Sequence, residues 1–131
     1  MDMSAEELVG ILRLHKDWLE DVVGGSRAYL EYANLNDANL KGANLKGANL
    51  YRTLGIYHLN MSDPRGYRPL ACQQTAGWKI HAGCRWLSVN EALQHWNSDS
   101  YVGDKDIAAR YVGAIREFSL TNEYAEGHHH S

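Results

Sequence analysis

Seven side chains between residues 65 and 86 have the chemistry to hold an anion: Arg65, Tyr67, Arg68, Lys79, His81, Arg85 and Trp86. Arginine offers a planar, permanently charged fork of donors that matches a phosphate or carboxylate two bonds at a time. Tyrosine and tryptophan offer flat faces on which a base or sugar ring can stack. Local charge points the same way. Residues 52–85 carry five cations against Asp63 alone, in a chain whose formal net charge is −3. Residues 1–27 hold three basic and six acidic side chains, and residues 86–131 three and seven. Such a basic segment either pairs with the acidic ends or gathers an external anion. Arg85 and Trp86 carry the same two readings. They are a donor and a stacking ring beside a helix start, where backbone N–H groups attract anions. Alternatively they are a salt-bridge partner for the acidic C-terminal half and a core anchor.

The nearest approach to a reactive pair is His81 and Cys84 in "HAGC". A cysteine nucleophile needs a base within hydrogen-bond reach, and a cysteine without one packs as a small hydrophobe. The sequence holds no phosphate-cradling glycine loop, no H-x-x-x-H pair and no G-x-S-x-G. Its two cysteines, Cys72 and Cys84, suit neither a disulfide framework nor a metal site, and read as free thiols of a reducing cytoplasm. We therefore expect no enzyme activity, no catalytic residue, no metal and no cofactor.

These residues need a frame. With 131 residues and a 44% hydrophobic fraction, the chain has one domain's worth of core. "SAEELVGILRLHKDWLEDVVGG" predicts a helix over residues 4–24, opened by a Ser4–Glu7 capping box and closed at Gly24-Gly25. Its apolar stripe runs Leu8, Ile11, Leu12, His15, Trp18, Leu19, Val22 and Val23, with His15 a satisfied core-edge histidine. Residues 55–60 alternate like a strand. "YRPLACQQ" and "WKIHA" around "TAG" predict a β-hairpin. Ser88 and Glu91 open a second helix with Val89, Leu93 and Trp96 inward. A third follows, capped by Asp104, burying Ile107, Tyr111, Val112, Ile115 and Phe118, with Arg116 near its negative end. The tail over 121–131, ending "EGHHHS", is set aside.

Between the first helix and the hairpin the period changes to five. Leu30, Leu35, Leu40, Leu45 and Leu50 recur with Ala28, Ala33, Ala38, Ala43 and Ala48, and Asn34, Asn39, Asn44 and Asn49 fall between them. Five fits neither a helix nor a strand, so the chain must turn a corner every five residues with Leu and Ala inward. The pattern A-N-L-x-x resembles the pentapeptide-repeat family. The resemblance implies, over 28–54, about one coil of right-handed quadrilateral β-solenoid. The fold class is then α+β: N-terminal helix, coil, β-hairpin and two helices, in a single domain over 1–131. A coil so short cannot bury its own leucines, and the flanking elements must cap it. Exposed strand edges invite a second copy, and we expect a homo-oligomer.

The helix and the "DPRGYR…AGCRW" segment are similar to those of small phage-encoded members. That similarity implies a non-catalytic phage accessory protein, which binds an anionic, nucleotide-like small molecule and sequesters a cyclic-nucleotide signal of host defence. An inhibitor of a host protein and a structural or assembly module of a particle are the alternatives. DNA mimicry, known among longer members, needs a long acidic rod, and here the outward residues are Asn, Lys and Gly with only Glu31 and Asp37 acidic. A nucleic-acid partner is not expected. No run of eighteen apolar residues and no signal layout are present, so the expected place is the cytoplasm, that of the host if the chain is phage-encoded.

Overall fold

The computed structural model describes residues 3–83 and 85–121. In chain order these form α1 (Ala5–Leu19), β1 (Ile56–His58), β2 (Leu70–Gln74), β3 (Gly77–Ala82), β4 (Arg85–Ser88), α2 (Val89–Asn97) and α3 (Lys105–Thr121). The described chain is mixed α+β, with three helices and one open antiparallel sheet in the order β1-β2-β3-β4.

Both capping boxes form. The Ser4 and Ser88 hydroxyls accept from the Glu7 and Glu91 N–H, and each glutamate accepts from the serine N–H in return. Asp104 caps α3 by accepting from the N–H of Asp106 and Ile107. α1 stops five residues before Gly24. The Ser26 N–H donates to the Leu14 carbonyl at 3.0 Å, so the chain doubles back along the last turns of the helix. A side chain at Gly25 would run into the Trp18 backbone, which makes glycine necessary for that return. Val22 and Val23, expected on the buried stripe, are exposed in the turn. Arg116 lies outside the last turn of α3, which holds no basic residue.

Residues 28–53 turn every five residues. Each inward leucine carbonyl accepts from the N–H three residues on, at 3.0–3.2 Å. Positive φ falls on the third residue of each turn: Tyr32, Asp37, Gly42, Gly47 and Arg52, the type II pattern. Each asparagine Oδ1 accepts from the N–H two residues on, at 2.9–3.1 Å. After twenty residues the chain lies parallel to its own start, pairing Tyr29 with Asn49 and Asn34 with Leu54. The five leucines of this circuit are at most 4% exposed.

One circuit leaves its leucines and many backbone groups uncovered, and the neighbours supply both needs. Leu8, Ile11 and Leu12 of α1 join the leucine core, as do Leu70, Cys72, Ile56 and Trp86 of the sheet. α1 packs on neither the strands nor the other helices, so the circuit lies between it and the sheet. His15 is wholly buried. Its Nδ1 accepts from the Ala28 N–H at 3.0 Å and its Nε2 donates to the Lys46 carbonyl at 2.9 Å. Arg27 donates to the Gly47 carbonyl at 2.6 Å, and Gln74 to that of Ala38 at 3.1 Å. Asp37 receives both the N–H and the hydroxyl of Thr75, tying a corner to the β2–β3 turn.

The sheet is a wall between two cores. Ala71, Ile80, Ala82 and Leu87 face α2 and α3, and Leu70, Cys72 and Trp86 face the circuit. α2 and α3 close the second core, with Trp96 stacked on Tyr111 at 4.3 Å between ring centres. The sequence predicts a strand over 55–60 and a hairpin, and the structure has four strands. β4 is hidden from periodicity because Trp86 and Leu87 both find apolar partners on opposite faces, so no polar–apolar alternation marks it.

Candidate functional site

Pro64 and Arg65 sit in a tight turn between Asp63 and Gly66, whose N–H donates to the Asp63 carbonyl at 2.9 Å. The Asp63 carboxylate organises the neighbourhood. Oδ1 accepts from the Arg65 N–H and Nε, both at 2.9 Å, while Oδ2 accepts from Arg65 Nη2 at 2.7 Å and the Tyr111 hydroxyl at 2.7 Å. The Asp63 side chain is 0% exposed and that of Arg65 49%. The Arg65 hydrogen bonds, helped by that of Tyr111, hold the Asp63 carboxyl down at about 2. The same carboxylate pushes the Arg65 pKa up, and burial followed by Asp63 pushes the Tyr111 phenol up. The Arg65 guanidinium lies 5.2 Å over the Tyr67 ring.

Arg65, Tyr67 and Tyr111 line a cavity of about 380 Å³ with Gly83, Arg85, His95, Trp96 and Tyr101. Arg85 stands opposite Ala82 in the β3–β4 ladder, on the helix side of the sheet. It is exposed, and among the described residues it makes no hydrogen bond or ion pair. His95 sits 5.3 Å from Tyr101 and 4.9 Å from Trp96, edge to face with both. Its Nε2 is buried and meets no hydrogen-bond partner. Burial and then the charge of Arg85 lower the His95 pKa, so the ring is neutral at pH 7. The walls thus combine one cation with no partner among the described residues, one cation held by a carboxylate, four aromatic rings of Tyr and Trp, and an imidazole nitrogen likewise without a partner among them.

Of the seven residues read as a site, the cavity brings together Arg65, Tyr67 and Arg85. The other four lie elsewhere, and for Lys79, His81 and Trp86 the reason is that alternate strand residues point to opposite faces. His81 is 1% exposed on the circuit side and donates from Nε2 to the Ala43 carbonyl at 2.7 Å; burial lowers its pKa. Trp86, its ladder partner, packs on the leucine core. Lys79 faces Ser88 across the ladder and lines a separate cavity of about 150 Å³. The charge of Arg68 acts on His15 and His58, whose pKa values it helps to lower, away from the cavity. Cys84 lies outside the described residues. Cys72 is a buried free thiol whose pKa burial pushes up to about 12.

Sequence reasoning missed His95, Trp96, Tyr101 and Tyr111 as cavity walls. Trp96 and Tyr111 sit on apolar helix stripes and read as core, which they also are. The signal that could have found them is Asp63: a lone carboxylate in a basic segment needs partners, and a tyrosine hydroxyl is one. A larger cavity, about 740 Å³, lies between α1 and the circuit. Its cations Arg13, Lys16, Lys41 and Lys46 are all exposed, and no aromatic ring lines it. No group of His, Cys, Asp or Glu suited to a metal ion occurs among the described residues, and no helix among them is long and apolar enough to cross a membrane.

The family model described as "Pentapeptide repeats (8 copies)" matches residues 26–53. No curated protein and no solved structure matches the chain. Through residues 26–53, the segment whose turns, inward leucines and twenty-residue return are described above, the chain carries the repeats of the pentapeptide-repeat family.

Proposed function

We propose that this protein binds an anionic, ring-bearing small molecule of nucleotide type in the cavity between the 63–66 turn, β4 and α2, without transforming it. One observation carries the reading: the guanidinium of Arg85 and the Nε2 of His95, both without a partner among the described residues, border a cavity walled by aromatic rings. A phosphate would take the Arg85 fork, a base would stack on tyrosine, and a base edge would meet the imidazole nitrogen. A volume of about 380 Å³ lies in the lower part of the range for small-molecule sites, roughly 300–1,000 Å³. Withdrawal of a nucleotide signal by stoichiometric binding is the use such a site would serve. The repeat segment is its scaffold. We take it as about one coil of a right-handed, four-sided β-solenoid, a reading supported by the five-residue turns and the parallel return.

The test is thermal unfolding with adenine and guanine mononucleotides. A ligand at 100 times its Kd adds about 2.7 kcal/mol to the folded state. Arg85→Ala should abolish the shift and leave the unliganded midpoint in place, since an exposed, unpaired side chain contributes within about 0.5 kcal/mol. An equal shift in the variant, or a screen flat at millimolar mononucleotide and at millimolar dinucleotide alike, overturns the reading.

A further inference from the structure

Arg85, His95 and Tyr101 border two cavities. On one side is the aromatic cavity described above. On the other is a second space of about 530 Å³ whose walls include Glu91, Gln94, Ser98 and Ser100. The two therefore adjoin across a shared wall of Arg85, His95 and Tyr101, the waist between them. We propose that the site takes a two-headed ligand of the dinucleotide class, with its phosphate linkage at Arg85 and one ring-bearing half in each lobe. The proposal rests on the nucleotide-type reading of the first lobe.

The chemistry of the lobes differs in a way that assigns the halves. The first offers the half-buried rings of Tyr67 and Tyr101 for stacking, over a floor of the buried Trp96–Tyr111 pair. The second is built of hydroxyls, an amide and a carboxylate. Ser98 and Ser100 bond each other at 2.7 Å, and Gln94 is exposed on α2. Glu91 is held ionised by the Ser88 N–H, which donates to it at 2.8 Å. A phosphate deep in that lobe would face the Glu91 anion, and among the described residues its walls hold no other cation than Arg85. Hydroxyls of a sugar and amino groups of a base suit it better. The anion is therefore held at the waist. A mononucleotide leaves the second lobe empty, and a dinucleotide uses both.

The experiment measures Kd by calorimetry for 5′-mononucleotides, linear 3′,5′-dinucleotides and cyclic dinucleotides of adenine and guanine. The expected result is a dinucleotide at least tenfold tighter than its mononucleotide. Gln94→Trp, which fills the second lobe from an exposed position, should cut that ratio below threefold. Ser100→Trp does the same from the opposite wall and serves if the first variant melts early. Equal affinities for the two ligand sizes, or a ratio untouched by both variants, overturn the two-lobed site while leaving the nucleotide reading standing. If no nucleotide of either size binds, both fall together.

Discussion

Asp63 decides how much of Arg65 a ligand can use. Its two oxygens take Nε and Nη2 of the guanidinium. Arg65 is thus a positioned cation held by a carboxylate, and Arg85 is the cavity cation with no such partner among the described residues. This separates two substitutions that look alike in the sequence. Arg85→Ala should alter ligand binding alone. Arg65→Ala should also lower the stability of the unliganded protein, because it strands a buried carboxylate with Tyr111 as its remaining side-chain partner. Asp63→Asn tests the same node from the other side. Losing hydrogen bonds to a charged group should cost about 1.5–3 kcal/mol at pH 7, read as a lower urea midpoint. The sign with pH is fixed by the depressed pKa. The Asp63 contribution is full above its ordinary value near 3.8 and is lost as pH falls through about 2. The gap between parent and variant should therefore narrow in strong acid, and a gap independent of pH would refute the role.

At the scale of elements, the glycines in the repeat circuit and just after it differ in how freely they accept side chains. Gly42 and Gly55 both have positive φ, +76° and +86°. A Cβ at Gly42 meets open space, whereas one at Gly55 would sit 2.5 Å from the Asn36 backbone nitrogen. Gly42→Ala incurs only the left-handed backbone penalty, about 1–2 kcal/mol, offset by about 0.4–1 kcal/mol from a stiffer unfolded chain. Gly55→Ala adds overpacking of about 1–3 kcal/mol, for a total of about 2–5 kcal/mol before the same offset. Thermal melts of the two variants should differ accordingly, and equal losses would mean that the turn at Asn36 yields easily. Tyr32 and Arg52 hold the same left-handed conformation without glycine's freedom, on stacked corners where Tyr32 and Tyr51 meet edge to face at 5.8 Å.

At the scale of the molecule, the sheet divides two cores and two buried histidines fasten the repeat circuit to its covers. His15 bonds the Lys46 carbonyl from α1, and His81 bonds that of Ala43 from β3. Both have pKa values below the ordinary 6.5, with burial as the first cause, and His58 and His95 shift the same way. A histidine whose folded pKa is depressed supports the fold fully above pH 6.5, and its support is lost as pH falls towards the folded pKa. Each histidine that stays neutral in the fold while charging in the unfolded chain costs about 1.4 kcal/mol per pH unit over that window. Stability should thus drop from pH 7.5 to 5.5, well before carboxylates titrate. His81→Gln, whose amide can still donate to Ala43, should flatten the slope. An unchanged slope in that variant would show that His81 is not among the groups responsible.

The sequence by itself determined what repeats or caps. A period of five with leucine and alanine inward has no helical or extended solution, so the turning segment follows from spacing alone. The capping boxes and the α3 stripe follow from local hydrogen bonding and a 3.6-residue period. Only the tertiary structure decided which cations meet. Strand residues alternate faces, and with an apolar core on each side of the sheet, nothing in the local pattern says which face a given residue takes. A shift of one residue would have sent Arg85 to the leucine core and Trp86 to the cavity. Likewise the bond from Tyr111 to Asp63 spans 48 positions of sequence, and it exists because α3 packs on the helix face of the sheet. The site is assembled by that packing, from residues whose own neighbourhoods read as turn, core and surface.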